Sequence, residues 1–275
     1  GKKETIESIG REGIVRFRGA NYSPRGMIVA AAGDVDPEEA LGAVSATLER
    51  WKTGAAPDPL SIPDEPRSGA ERGGTHTVPM MHKAQVDMSI GLAALPRADP
   101  DFYALDMANL ILGRLGLMGR LGKNVRDEQG LAYYATSVLE RTLGRGLWMA
   151  KAGVNPADVE RAGEAIVSEV KRLREEKLDS QELEDAKGHL VGSLALRLET
   201  NRGIAGALHE IEYYGLGLDF LDRYPGIVRA VTAEQVVEAA RRYLDPERMT
   251  IVAAGPWNPR PGSLTAFQIG TGPTD

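Results

Sequence analysis

The stretch from Leu112 to Tyr133 reads LGRLGLMGRLGKNVRDEQGLAY. Its glycines recur at three-residue spacing: Gly113, Gly116, Gly119 and Gly122. This spacing is typical of a tight loop that leads into the N-terminus of a helix, because glycine tolerates close backbone approach and left-handed turns. The pattern then predicts a short helix over residues 123–128, a stop at Gly130 and a strand over residues 132–139.

Strands and helices are predicted on both sides of this stretch. Alternating apolar residues indicate a strand at Val86, Met88, Ile90 and Leu92. Further strands are predicted over residues 146–153 and 248–254, and helices fill most of residues 155–243. These elements predict an α+β fold, a two-layer sandwich in which helices pack on one face of a mixed, mainly antiparallel sheet.

An internal repeat links the two ends of the chain. Residues 8–33 and 230–255 match at a constant offset of 222 positions. Both segments predict a helix, a proline and a strand that begins at a methionine, over Met27–Ala32 and Met249–Ala254. The identical pairs are Glu12 and Glu234, Val15 and Val237, Pro24 and Pro246, Met27 and Met249, and Gly33 and Gly255. A repeat at a fixed period indicates a duplicated structural unit.

The repeat sets the expected domain boundaries. Residues 1–51 are expected to be the C-terminal tail of a preceding homologous domain, with one amphipathic helix over residues 4–20 and another that Asp36 caps. The proline- and glycine-rich residues 52–74 are predicted to be a linker. Residues 75–257 then form one complete domain, and residues 258–275 form a disordered tail.

The overall composition is that of an ordinary globular protein. The chain has 275 residues, 42% of them hydrophobic, a formal net charge of −6 and no cysteine. The absence of cysteine excludes disulfides, thiolate nucleophiles and Cys-ligated zinc. The acidic balance gives no reason to expect a nucleic-acid or membrane-surface partner. No stretch approaches ~18 consecutive apolar residues, so we expect a soluble protein, in the cytoplasm rather than the periplasm.

The histidines have the wrong spacing for a metal centre. They are His76, His82, His189 and His209. His209 and Glu210 begin like a metalloprotease helix motif, but Tyr213 occupies the position of the second histidine. A zinc hydrolase needs several such ligands at fixed spacing and a base beside the open coordination position. The sequence therefore predicts neither a metal site nor another cofactor in this chain.

The glycine-rich stretch also fails as a phosphate loop. Leu117 stands where the motif needs glycine, and Asn124 where it needs serine or threonine. A local basic cluster is nevertheless present, formed by Arg114, Arg120, Lys123 and Arg126. A nucleic-acid site would add interleaved aromatic residues and a basic domain, and both are missing, so we do not favour one.

Arg126 and Tyr133 form a candidate pair, because a helix, a sharp turn and a strand can bring both side chains to one side. Arginine donates in a rigid fork that suits a carbonyl or carboxylate, and a tyrosine hydroxyl suits a developing oxyanion. The alternative is structural, with Arg126 paired to carboxylates such as Asp127 and Tyr133 packed in the core. Spacing alone favours this structural interpretation.

The stretch Leu112–Tyr133 resembles the insulinase/pitrilysin zinc peptidases in its glycine-rich loop and its Arg…Tyr element. These are inverzincins, whose catalytic half carries His-x-x-Glu-His. The segment Tyr22–Val35 is similar to the same family. The chain departs from the family in two ways: Arg114 stands where members often have glycine, and His-x-x-Glu-His is absent.

The resemblance implies that homologous domains occur in pairs, one binding zinc and the other closing over a peptide substrate. This chain is similar to the second, C-terminal half, which is inactive alone. Arg126 would then hold a substrate carbonyl or carboxylate, and Tyr133 would hydrogen-bond the tetrahedral oxyanion. The glycines that would contact substrate are Gly113, Gly116 and Gly119. The zinc would lie in a His-x-x-Glu-His partner half, on the same polypeptide or a separate subunit. The alternative is a non-catalytic structural subunit of a larger assembly.

Overall fold

The computed structural model describes residues 2–51 and 73–258. Within these ranges the chain forms two compact units. The first contains residues 2–51 and 194–220, and the second contains residues 73–193 and 221–258. The predicted linker and C-terminal tail lie outside the described residues, except for Gly73, Gly74 and Asn258 at their edges.

A five-stranded sheet forms the centre of the second unit. Its strands are β1 (Gly74–Pro79), β2 (Val86–Ala93), β3 (Ala132–Leu139), β4 (Leu147–Val154) and β5 (Thr250–Gly255). They lie in the order β1-β5-β2-β4-β3. The β1–β5 pair is parallel, and the β5–β2, β2–β4 and β4–β3 pairs are antiparallel. The predicted mixed, mainly antiparallel sheet is confirmed.

Nine α-helices occur in the described residues. They are α1 (Lys3–Glu7), α2 (Arg11–Asn21), α3 (Pro37–Glu49), α4 (Phe102–Asn109), α5 (Val159–Glu175), α6 (Ser180–Leu198), α7 (Asn201–Tyr213), α8 (Phe220–Ala230) and α9 (Ala233–Tyr243). Short 3-10 turns precede α5, at Pro156–Asp158, and β5, at Pro246–Arg248. A capping box between Thr232 and Gln235 begins α9, and it satisfies backbone N–H groups that the first turn leaves free.

The helices of the second unit cover one face of the sheet. Along β2 the side chains of Val86, Met88 and Ile90 are buried in the core, whereas Asp87 is exposed and Ser89 is half-buried. This alternation follows from the two-residue period of a strand. We call the side that bears Asp87 the outer face. The predicted packing of helices on a single face is confirmed.

The helix α4 connects the buried core to the glycine-rich stretch. Trp148 of β4 is fully buried, and its Nε1 donates to Oδ1 of Asn109 at 3.1 Å. The backbone oxygen of Asn109 accepts from the Ser137 hydroxyl of β3 at 3.0 Å. The end of α4, where the glycine-rich stretch begins, is thus fixed against two neighbouring strands.

In the first unit, α1, α2 and α3 contain no buried residue. Asp36 caps α3 by accepting from the backbone N–H groups of Glu38 and Glu39, at 3.0 and 2.9 Å, as predicted. The single helix expected over residues 4–20 is instead broken into α1 and α2. The break occurs because Gly10 is extended and acts as the N-cap of α2. Within the described ranges, no helix is long and apolar enough to cross a membrane.

The two repeat segments share a helix but not a strand. Shifted by the 222-residue offset, the bounds of α2 (Arg11–Asn21) coincide with those of α9 (Ala233–Tyr243). The segment at Met249–Ala254 lies in and beside β5, but Met27–Ala32 has no regular secondary structure, so the strand predicted there is wrong. A strand requires a partner for its backbone groups, and Met27–Ala32 pairs with no strand of the described residues.

Candidate functional site

The glycine-rich stretch folds as three short helical turns. They span Leu110–Arg114, Gly116–Met118 and Gly122–Glu128, and the first and last are π-helical. A Cβ atom at residue 113 would lie 2.6 Å from the backbone nitrogen of Ser137, so the close packing of this turn on β3 requires glycine. Gly116 has φ +60°, a left-handed conformation that glycine adopts without strain.

The glycines predicted to contact substrate allow the turns of the glycine-rich stretch to pack closely. Gly113 and Gly119 are buried, and Gly116 is half-buried. A Cβ atom at residue 119 would lie 3.0 Å from Cα of Gly113, so the two turns touch through their backbones. Substrate contact through Gly113, Gly116 and Gly119 stays a prediction.

Arg126 and Tyr133 lie side by side. Arg126 is in the last turn of Gly122–Glu128, and Gly130, at φ +63°, reverses the chain into β3. The turn is closed by the backbone N–H of Gly130, which donates to the carbonyl of Arg126 at 3.0 Å. The guanidinium carbon of Arg126 lies 5.9 Å from the centroid of the Tyr133 ring. The predicted juxtaposition of the two side chains is therefore present.

The structural interpretation of the pair does not fit these positions. Tyr133 is 74% exposed and so does not belong to the core. Arg126 forms no ion pair with Asp127 or with any other carboxylate in residues 2–51 and 73–258. Both polar groups are therefore available to a ligand.

A β-bulge produces the exposure of Tyr133. Ala132 pairs with Val154 of β4 and Tyr134 pairs with Gly153, so Tyr133 is an extra residue without a partner of its own on β4. Bulges disrupt the ladder locally and re-aim side chains. Tyr133 and Tyr134 are both exposed, whereas Ala132 is buried.

A buried acid holds the turn that carries Arg126. Glu169 of α5 is 1% exposed, and its Oε1 accepts from Asn124 Nδ2 and from Arg172 Nη1. Asn124 lies two residues before Arg126 in the same turn. Because burying a carboxylate is costly without such donors, these hydrogen bonds fix Asn124 against α5.

Two of the four residues of the basic cluster, Arg114 and Arg120, form ion pairs. Arg120 donates to both carboxylate oxygens of Glu182 in α6, at 2.8 and 2.6 Å, and this hydrogen bonding raises the pKa of Arg120 above its usual value. Arg114 donates to Oδ1 and Oδ2 of Asp106, at 2.9 and 3.2 Å. These ion pairs compete directly with any phosphate, so they give no support to a nucleic-acid site.

Sequence reasoning missed the acids Asp106, Glu169 and Glu182. A signal existed for Asp106, because it lies between Leu105 and Met107 on a helix whose other residues are all buried except the half-buried Tyr103. A buried carboxylate at such a position needs a cationic partner. No comparable signal marked Glu182, which lies 62 residues from Arg120.

The described residues do not fit a metal ion. No group of three or more His, Asp or Glu side chains in the described ranges is placed to hold one. Arg126 and Tyr133 can both donate hydrogen bonds to a polar ligand.

The family model described as the peptidase M16 inactive domain matches residues 8–190. The chain belongs to this family. The resemblance of the glycine-rich stretch to the insulinase-like zinc peptidases is thereby confirmed.

Known relatives of this M16 inactive domain include an uncharacterized zinc protease of Streptomyces coelicolor, which is 29% identical over 93% of the chain. The crystal structure of a peptidase M16 inactive domain from Pseudomonas fluorescens is 25% identical, with a TM-score of 0.78, and covers 93% of this chain and 60% of that one. A chain of complex III2 from Candida albicans shares the fold, with a TM-score of 0.74 at 17% identity over 93% of this chain and 61% of that one.

The M16 chain spans 56% of the length of the Streptomyces relative. It spans 57% of the length of an uncharacterized zinc protease of Mycobacterium leprae.

Proposed function

We propose that this chain is the substrate-binding, non-metal half of a zinc-dependent endopeptidase that degrades or processes peptides. Membership of the M16 inactive-domain family and similarity to zinc proteases support the proposal. The observation that carries it is the exposed Tyr133 ring beside the Arg126 guanidinium, 5.9 Å away. A purely structural domain has no use for this arrangement.

In this proposal Arg126 binds the substrate and Tyr133 stabilises the transition state. The guanidinium of Arg126 offers several N–H donors in a fixed fork, so it binds the substrate carbonyl or a carboxylate. Tyr133 offers a single O–H donor, which stabilises the oxyanion that develops on the scissile carbonyl. The guanidinium near the ring restrains the orientation of the phenol by a cation–π contact.

The catalytic metal belongs elsewhere in the proposed enzyme. Because no metal-binding group occurs in the described residues, we assign the zinc and the general base to a His-x-x-Glu-His half. That half lies on the same polypeptide or on a separate subunit. The present chain alone is expected to be inactive.

Residues 2–51 belong, in this proposal, to a preceding domain that is homologous to residues 75–257. The shared bounds of α2 and α9 support a duplicated unit. Without the rest of its domain this segment would leave apolar side chains uncovered. Its exposed apolar residues include Ile6, Ile9, Ile14, Val15, Phe17, Tyr22, Met27, Val29, Val35 and Leu41.

The test uses the full-length protein that contains both halves. Cleavage of a fluorogenic peptide is compared between the wild type and the double variant Arg126→Ala/Tyr133→Phe, with Arg161→Ala as a control because Arg161 is an exposed arginine on α5. The double variant is expected to lose most of its kcat/KM while melting like the wild type. Full activity in a normally folded double variant would refute the role of the pair.

A second candidate is a non-catalytic structural subunit. The fold similarity to a chain of complex III2 favours this alternative. It predicts that the wild-type full-length protein cleaves no peptide under any metal loading, and that the double variant assembles with its partners as the wild type does.

A further inference from the structure

Tyr134, the residue after the bulge, is a second aromatic side chain that faces away from the core. Tyr134 is 38% exposed, although Ala132 and Ala135, which flank the two tyrosines, are both buried. Successive side chains of a regular strand point to opposite faces. The extra residue lets both tyrosines avoid the core, so two phenols stand next to each other at the start of β3.

The ring of Tyr134 lies on the backbone of β4. A Cβ atom at residue 153 would lie 2.6 Å from Cε1 and 3.1 Å from Cδ1 of Tyr134. Gly153 therefore leaves the space that the ring occupies beside β4. One edge of the ring lies against Gly153, and Tyr134 still keeps more than a third of its surface exposed.

Two opposite charges lie beyond Gly153, at Asp87 on β2 and at Lys83, which precedes that strand. Asp87 of β2 is the cross-strand partner of Gly153, and it forms an ion pair with Lys83. Burial raises the pKa of Tyr134 and the negative charge of Asp87 raises it further, while Lys83 opposes this. The phenol thus stays protonated at neutral pH beside an ion pair of zero net charge.

We propose that Tyr134 is the floor of a subsite that binds an aromatic side chain of the peptide substrate. The proposal rests on the function proposed above for Arg126 and Tyr133. Consecutive Cα atoms are about 3.8 Å apart, so the subsite adjoins the carbonyl that the pair binds. The aromatic residue is therefore the one next to the scissile bond.

The neutral surroundings of Tyr134 determine which class of substrate side chain the subsite binds. A partly exposed aromatic ring binds a second ring by offset or edge-to-face stacking, which contributes roughly 0.5–1.5 kcal/mol beyond area burial. A basic side chain would be attracted to the ring as well, but Lys83 already neutralises Asp87, so no net negative charge adds to that attraction. An aromatic side chain needs no such charge.

Binding is measured on the full-length protein with its metal chelated, so that no peptide is cleaved. The probes are three fluorescent peptides with a Gly/Ser/Ala background that differ at one central residue, which is Phe, Lys or Ala. Wild-type protein is compared with Tyr134→Ala and Tyr134→Phe. The matched control is Val138→Ala, because Val138 lies on the same strand with nearly the same exposure, 39%. Thermal melts establish that each variant folds.

The wild type is expected to bind the Phe peptide about 3- to 10-fold more tightly than the Ala peptide, which corresponds to the stacking energy. Tyr134→Ala removes this ratio, while Tyr134→Phe and Val138→Ala keep it. A ratio that survives in Tyr134→Ala, a wild type that binds Phe and Ala equally, or tightest binding of the Lys peptide overturns the subsite. Full cleavage activity of the Arg126→Ala/Tyr133→Phe enzyme instead overturns the proposed function, so the two failures are distinguishable.

Discussion

Arg114 holds both oxygens of the buried Asp106 through a single guanidinium nitrogen, at 2.9 and 3.2 Å. Asp106 lies in α4 and Arg114 ends the first turn of the glycine-rich stretch, so the pair ties this turn back to the helix that precedes it. Arg141 lies 3.5 Å from the same carboxylate. The arginine that departs from the family pattern is therefore a structural anchor of the loop.

We predict that Asp106→Ala lowers the free energy of unfolding by about 2 kcal/mol, because it removes the partner of two arginines that are only partly exposed. Chemical denaturation of the wild type and the variant measures this difference. Asp158→Ala is the control, since its pair with Arg161 is on the surface, and it is expected to cost under about 0.5 kcal/mol. Equal stability of the two variants would contradict the anchoring role.

Tyr133→Phe is expected to lower kcat of the full-length enzyme by up to about 10²–10³-fold and to leave KM nearly unchanged. A donor that acts on the oxyanion stabilises the transition state more than the bound substrate. Steady-state cleavage of a fluorogenic peptide gives both constants. Tyr213→Phe, which removes a hydroxyl from a tyrosine of α7, should leave them unchanged. A rise in KM alone would assign Tyr133 to ground-state binding.

Arg126→Ala should damage both kcat and KM, because the guanidinium holds the peptide before and during the reaction. Arg126→Lys keeps the positive charge but loses the fork, so it is expected to recover only part of the loss. The same peptide assay separates the variants. If lysine restores full activity, charge alone is required and hydrogen-bond geometry is not.

The purified chain is expected to contain far less than one equivalent of zinc, since residues 2–51 and 73–258 hold no group of three metal-binding side chains. Elemental analysis after dialysis against metal-free buffer measures the content. The full-length protein, treated in the same way, is expected to retain about one zinc. Stoichiometric zinc in the isolated chain would show that a ligand set had been overlooked.

Tyr243 should make stability depend on pH in the alkaline range. Burial, and then its hydrogen bond to Asp101, raise its pKa to about 12. A raised folded pKa stabilises the protein fully below the unfolded value of about 10, and the contribution is lost as pH rises from there towards 12. The stability difference between the wild type and Tyr243→Phe should therefore be constant at pH 7–9 and shrink above pH 10. Thermal melts across this range measure it, and a difference that grows with pH would contradict the assignment.

The sequence was sufficient for the features that depend on local pattern. The alternation in Val86–Ala93 placed β2, and the order of helix, Gly130 and strand brought Arg126 to Tyr133. Features that depend on a distant partner were out of reach. Met27–Ala32 has the composition of a strand but no strand to pair with among the described residues, and Arg120 finds Glu182 only through the packing of α6.

The bulge at Tyr133 could not be predicted from the sequence either, because it depends on a distant partner. Its existence depends on how β3 aligns with β4, because Ala132 and Tyr134 face consecutive residues, Val154 and Gly153. A strand read alone gives the alternation of its side chains but not the register of the pair. That Tyr133 and Tyr134 both face outward therefore could not be identified from the sequence.

Because of the same bulge, the phenol of Tyr133 can be lost while the fold of the domain is kept. Since Tyr133 has no partner of its own on β4, deleting its single codon would leave Ala132 opposite Val154 and Tyr134 opposite Gly153, with every other residue of β3 still in register. The sheet would close up as a regular ladder, and only the phenol beside Arg126 would vanish. Under the proposed function, a peptidase half would thus become an inert scaffold through the loss of one unpaired residue, with no rebuilding of the domain.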